Sequence, residues 1–287
     1  MKRTLFKSFF KRYLPFTRGV MQESLTYRFR FVFWLLFQFL YLIIAYYLWK
    51  GVFSAHAVSQ SIDMVDVKIG QYTFATMVLY VFFERIVSGL TQLPASNYIE
   101  DDISDGNIAM RLIKPLDYRK QLFFQSLGFA VVNMLVFALP FTLALVIYGV
   151  STDLSFSPDG ISILLFIFSI LFGAIINYLI SFAFGMIIFF TLNSFGMWQL
   201  REAIELVFTG GLIPIALFPT WLRGISSFLP FAQTKYVPIT FIMGLYEGDL
   251  IGGLLALGTQ VLWILALYFL TTFAWRKATR RVVVQGG

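Results

Sequence analysis

From Phe31 to Trp49 the chain carries a single strongly polar residue, Gln38, and runs of this kind recur along its length. A helix needs about 20 apolar residues to cross a bilayer, and each run meets or approaches that length. The second extends from about Tyr72 to Leu93 and holds Glu84 and Arg85, the third covers about Leu122 to Val150, and the fourth about Ile161 to Leu192. Ala203 to Phe218 reads as a fifth span, followed by a further apolar stretch from Trp221 to Gly244, and Leu250 to Trp275 is the last. The runs are continuous rather than alternating, which argues against the strands of a membrane barrel. The expectation is an all-α membrane protein with six transmembrane helices. Composition agrees: 59% of residues are hydrophobic and 13% charged, against about 25% charged in an ordinary soluble domain.

The distribution of Lys and Arg orients the chain. Before the first span lie Lys2, Arg3, Lys7, Lys11, Arg12, Arg18, Arg28 and Arg30, and the loop between spans two and three carries Arg111, Lys114, Arg119 and Lys120. The tail adds Arg276, Lys277, Arg280 and Arg281. Alternate loops are poor in cations, with Lys68 in 54–70, none in 151–160, and Arg223 and Lys235 in the long loop before span six. Both termini and residues 97–121 are therefore expected in the cytoplasm. The net charge of +7 reads as cytoplasmic cations beside anionic lipid, not as a nucleic-acid footprint. The first apolar run is too long for a signal-peptide core and is expected to stay as an anchor.

The organisation expected is a cytoplasmic interfacial arm over 1–30, a transmembrane domain over 31–275, and a basic cytoplasmic tail over 276–287. In the arm, Leu5, Phe6, Phe9, Phe10, Tyr13 and Leu14 recur at helical spacing, with Lys7, Ser8, Lys11 and Arg12 between them. Rings in the acyl boundary and cations toward headgroups describe an interfacial helix, which Pro15 is expected to break.

Charges at membrane depth cost at least about 2.5–3.5 kcal/mol, so Glu84 and Arg85 are expected to face protein or water and to have partners. Neighbouring residues on a helix point about 100° apart, so the two need not pair with each other. Arg201, Glu202 and Glu205 are the natural candidates. A structural ion pair and a lining of the substrate path are both open. Asn133 and Asn177 read as interhelical hydrogen-bonding groups.

Residues 97–121 form the most charged stretch between spans. Asp102 or Ser104 would cap a short helix with Ile108, Ala109, Leu112 and Ile113 on its apolar side, ended by Pro115. Such a helix either packs on the membrane surface or a neighbouring span, or docks a cytosolic protein. No Gly-x-x-x-x-Gly-Lys-Ser/Thr phosphate loop, Gly-x-Ser-x-Gly elbow or His-Glu-x-x-His occurs. With no cysteine and His56 as the single histidine, thiolate clusters and histidine cages are excluded, and no metal site is expected.

Two stretches carry a family resemblance. Ile103-Ser104-Asp105-Gly106, running to Arg111-Leu112-Ile113-Lys114-Pro115-Leu116, looks like the coupling region of type-2 ABC exporter permeases. Gly210-Gly211-Leu212-Ile213-Pro214, Phe218-Pro219-Thr220-Trp221-Leu222 and Phe228-Leu229-Pro230 are similar to the same family's segment between spans five and six. Together with the basic arm and the six spans, the resemblance covers nearly the whole chain, and it is closest to a subfamily that pairs two unlike permeases with one ATPase type. It implies an exporter subunit in the bacterial cell membrane, with ATP and magnesium held by separate cytosolic ATPase subunits and no cofactor or catalytic residue on this chain. It also implies an ATPase-coupling set of Asp102, Ser104, Asp105, Ile108, Arg111, Leu112, Ile113 and Pro115, and an extracellular re-entrant segment at 209–244. A second permease, identical or different, would complete the path. Glu84 and Arg85 depart from the wider family pattern. A stand-alone channel or ion-coupled transporter, or a membrane anchor that recruits a cytosolic partner, also fits the residues.

Overall fold

The computed structural model describes residues 2–26, 28–152, 156–191, 194–245 and 250–285, and these form helices and short connections. The amino-terminal helix α1 is Lys2–Thr26 and α2 is Arg28–Gln60. α3 is Phe74–Thr91, with Thr73 and Thr76 forming a reciprocal capping box at its start. Beyond Pro94 the chain continues as α4, Ala95–Ser104, then α5, Ile108–Ile113. α6 is Tyr118–Asn133, followed by a π-helical turn at Met134–Ala138 and α7, Leu139–Ser151. The turn has a local cause. Pro140 has no N–H to give and its ring crowds the carbonyl of Val136, so the ladder is re-spaced just before it. α8 is Gly160–Thr191, α9 is Ser194–Phe208, and α12 is Leu250–Gln285.

Among the described residues five helices are long and apolar enough to cross a membrane: Phe29–Gln60, Phe74–Thr91, Tyr118–Ser151, Gly160–Thr191 and Leu250–Thr279. The expected fifth of six is not among them. α9 stops at Phe208, well before Phe218, because Gly210 turns the backbone to φ +75° and Pro214 cannot extend a helix. From there to Ile242 the chain is broken as its prolines and glycines demand: a 3-10 turn at Ile215–Leu217, α10 at Thr220–Phe228, a second 3-10 turn at Ala232–Thr234, and α11 at Tyr236–Ile242.

α3 and α8 are the central spans. α3 packs on α2, α7, α8 and α11, while α8 also carries α4 and α12. One apolar cluster gathers Phe53, Tyr72, Met77, Tyr80 and Phe141. The other gathers Ile99, Leu122, Ile176, Leu179 and Phe182, with Tyr118 stacked on Trp275 at 5.5 Å. No residue in the most apolar stretch of α2 is fully buried; Leu35, Phe39 and Leu42 pack partly against the core while the other side is open, as suits a lipid-facing helix.

Pro15 does not break the arm; α1 passes through it. Pro15 lies on the exposed side, where the carbonyl it frees remains solvated. The opposite face is held by α6. Tyr13 stacks on Phe124 at 5.6 Å and its hydroxyl accepts from the Asp117 amide at 3.1 Å. Thr17 Oγ1 donates to the Phe124 carbonyl at 2.7 Å. Gly128 permits this contact, since a Cβ there would lie 2.6 Å from the Thr17 carbonyl oxygen. Tyr13 and Val20 are thus buried against protein, where a free interfacial stripe would leave them against lipid. The side chains of Leu5, Phe6 and Phe9 lie outside the described residues.

Candidate coupling surface and buried polar clusters

α4 extends from the end of α3 along the later half of α8. The Leu93 amide donates to Asn177 Oδ1 at 3.1 Å and the Ser96 amide to Ser181 Oγ at 2.9 Å. Gly185 lets the two helices meet, because a Cβ there would sit 2.6 Å from Ile99 Cδ1 and 3.1 Å from Ser96 Cα. Asp102 and Ser104 lie at the end of α4, so neither caps a new helix; Asn107 precedes α5 and makes no side-chain cap. Gly106, at φ +70°, makes the turn between them.

Asp102 is 3% exposed and faces inward. Its carboxylate accepts from Arg111 Nε at 2.6 Å and from the Tyr118 hydroxyl at 2.8 Å. Burial pushes this carboxyl up, while the Tyr118 hydrogen bond and the Arg111 charge pull it back. The three residues clamp α4, α5 and the start of α6 into one unit. Asp102 and Arg111 thus brace the loop from within. Ile108 and Leu112 pack partly buried against the chain's own core. The outward face carries Met110, 66% exposed, and Ile113, 84% exposed, with Ser104, Asp105 and Pro115 also exposed. α5 ends before Pro115, with Lys114 extended at ψ 143°, as a pre-proline residue prefers.

Glu84 and Arg85 pair with each other after all, since the long Arg85 side chain turns back onto the Glu84 carboxylate. Arg85 Nη1 also donates to Gln38 Oε1 on α2 at 2.8 Å, and its guanidinium lies 4.3 Å from the centre of the Tyr41 ring. Glu84 Oε1 accepts from Ser88 Oγ at 2.8 Å and from Lys235 Nζ at 3.3 Å. Glu84 is 1% exposed, so these donors are its solvation. The expected partners lie elsewhere. Arg201 Nε donates to Glu205 at 2.6 Å within α9, and Nη1 donates to Ser96 Oγ at 2.9 Å and Ser181 Oγ at 2.7 Å. This fork ties α9 to α4 and α8. Glu202 is exposed and forms no ion pair among the described residues. Asn133 Nδ2 donates to Gln92 Oε1 at 3.0 Å, joining α6 to the end of α3.

The broken segment meets α3 at the same level. Tyr80 donates its hydroxyl to the Gly210 carbonyl at 2.7 Å, and a Cβ at Gly211 would lie 3.2 Å from Glu84 Oε1. Pro214 and Pro230 are buried; Pro219 and Trp221 are exposed. Lys235, Gln38, Ser88, Ser96 and Ser181 complete these clusters; of these, the sequence marks Gln38 alone, as the polar residue of the first span. Ser96 and Ser181 carry no charge pattern to mark them, and Lys235 reads as a loop cation until the broken segment is seen to fold back onto α3. Among the described residues no group of three or more acidic or histidine side chains could hold a metal ion.

A braced helical loop, a discontinuous apolar segment and long spans agree with the family comparison. A family model described as ABC-2 family transporter protein matches residues 63–286. The chain belongs to the ABC-2 transporter family. The matched region takes in α3 through α12, while α1 and α2 precede it. No curated protein and no solved structure matches the chain. An ABC-2 permease is the membrane component of an ABC transporter, not the nucleotide-binding ATPase, and membership implies association with an ABC ATPase subunit. The several apolar helices agree with a multi-pass membrane protein.

Proposed function

We propose that this ABC-2 permease is the transmembrane subunit of an exporter that moves a hydrophobic or amphipathic substrate out of a bacterial cell across its plasma membrane. Separate cytosolic ATPase subunits, which hold ATP and magnesium, dock on residues 97–121. A second permease, most simply a different homologous chain, completes the path. Both termini and the docking loop lie in the cytoplasm, and the segment 209–244 dips into the membrane from outside. Irregular backbone at that depth is tolerated where it is buried in protein or lines a cavity.

The observation that carries this reading is the braced α5. Met110 and Ile113 project from a helix whose other side is fixed by Ile108, Leu112 and the Asp102–Arg111–Tyr118 clamp. An exposed apolar pair on a rigid base suits a force-transmitting contact. Buried anchors of this kind each contribute about 2 kcal/mol or more when truncated. Met110→Ala with Ile113→Ala should therefore strip the ATPase during purification and abolish transport while leaving membrane insertion intact. Ile108→Ala with Leu112→Ala should instead lower the stability of the permease itself. A Met110/Ile113 double variant with a normal ATPase complex and full transport would remove α5 from energy coupling.

A further inference from the structure

The cluster around Glu84 does not balance its charges. Two cations, Arg85 and Lys235, share one carboxylate, and no second acid reaches them among the described residues. Both Glu84 oxygens are already used: Oε2 by Arg85, Oε1 by Ser88 and Lys235. Glu84 Oε1, at 3.3 Å, is the one protein acceptor of the Lys235 ammonium among the described residues, and a lysine ammonium has three donors to give. The remaining contacts of Arg85 are neutral, the Gln38 amide and the Tyr41 ring.

Exposure separates the signs. The Glu84 side chain is 1% exposed, whereas those of Arg85 and Lys235 are 15% and 18% exposed. The carboxylate is sealed and the cations reach the surface. An excess cation at membrane depth is costly unless an anion meets it. One helical turn along α2 from Gln38, on the same side as Tyr41, stands Trp34, which is 52% exposed.

We propose that Arg85 and Lys235 form a binding site for the single anionic headgroup of an amphiphilic substrate, a carboxylate or a phosphate monoester, whose chain runs past Tyr41 and Trp34. This rests on the exporter reading and gives its substrate a charge. The Glu84 carboxylate holds the two cations in place and keeps the cluster at one excess positive charge instead of two.

The test uses the full-length permease without its ATPase, in phosphatidylcholine nanodiscs, with radiolabelled laurate as probe. The permease should bind laurate saturably, and methyl laurate and dodecyltrimethylammonium should not compete. Lys235→Gln and Arg85→Gln each bring the cluster to neutrality, so each should weaken laurate binding by roughly tenfold or more, while Lys235→Arg should stay within about threefold of the parent. Either neutralising variant is sufficient should the other fail to fold. Equal binding of laurate and methyl laurate, or unchanged binding in a folded neutral variant, overturns the proposal. Phosphatidylglycerol that co-purifies and resists displacement by laurate would identify a resident lipid, and that too overturns it. None of these results depends on ATPase docking, so the site and the exporter reading fail separately.

Discussion

Arg201→Met removes the fork that ties α9 to α4 and α8 while keeping an unbranched side chain in its place. Arg201 is 8% exposed and donates to Glu205 at 2.6 Å, Ser181 at 2.7 Å and Ser96 at 2.9 Å. The Glu205 contact lies within one helix and is worth about 0.3–0.5 kcal/mol. The two interhelical bonds are worth roughly 0.6–1.7 kcal/mol each in a membrane setting. Ser96 and Ser181 still bond each other at 3.2 Å once the guanidinium is gone, so neither hydroxyl is orphaned. The total is then about 2 kcal/mol, toward the lower end of the range for charge-assisted bonds. In detergent the apparent Tm should fall by roughly 4–8 °C. Glu202→Met, an exposed neighbour without an ion pair among the described residues, is the control and should leave Tm where it is. Arg201→Lys should recover only part of the loss, because one ammonium cannot reproduce the planar fork. If Arg201→Met melts within about a degree of the parent, α9 is held by its apolar contacts and the fork contributes nothing to stability.

Two further outcomes concern the arm and the topology. Gly128→Ala drives a Cβ to 2.6 Å from the Thr17 carbonyl, so it should cost about 1–3 kcal/mol and expose α1 to limited proteolysis; an arm as protected as in the parent would mean that α6 does not hold it. For orientation, Ser59→Cys, placed at an exposed position near the end of α2 in a chain with no native cysteine, should react with an impermeant maleimide in intact cells; reaction only after permeabilisation reverses the topology.

The apolar runs, the breaks at Pro214, Pro219 and Pro230, and the end of a helix before Pro115 are legible because each depends on local chemistry: hydrocarbon length, a missing N–H, a crowded pre-proline residue. What escapes depends on contacts between distant segments. Pro15 is tolerated because its exposed side loses little and α6 holds the other. α9 falls short of a full span because Gly210 turns away there and is received by Tyr80, 130 positions earlier. Glu84 and Arg85 are readable as buried or water-facing charges, but the Lys235 that joins them lies 151 positions away from Glu84. The residues of 102–115 proposed for coupling divide in the same way. The segment is legible from its pattern, yet only the fold shows that Asp102, Ile108 and Leu112 turn inward and that Met110 joins Ile113 on the open face.

The π-helical turn at Met134–Ala138 bears on how this span tolerates a change in length. In a continuous α-helix one added residue rotates everything after it by about 100°, and every later side chain loses its neighbour. A π turn confines the extra residue to a single loop of backbone and returns the helix to its former phase. Here the turn sits against α3, where a Cβ at Gly89 would come 3.2 Å from the Ala138 nitrogen, and α7 resumes with Phe141 buried in the same apolar cluster as Met77 and Tyr80. Loss of one residue within this turn would restore a plain α-helix and leave the α3-facing side of α7 in place, whereas loss of one residue a turn earlier would carry Phe141 out of the core.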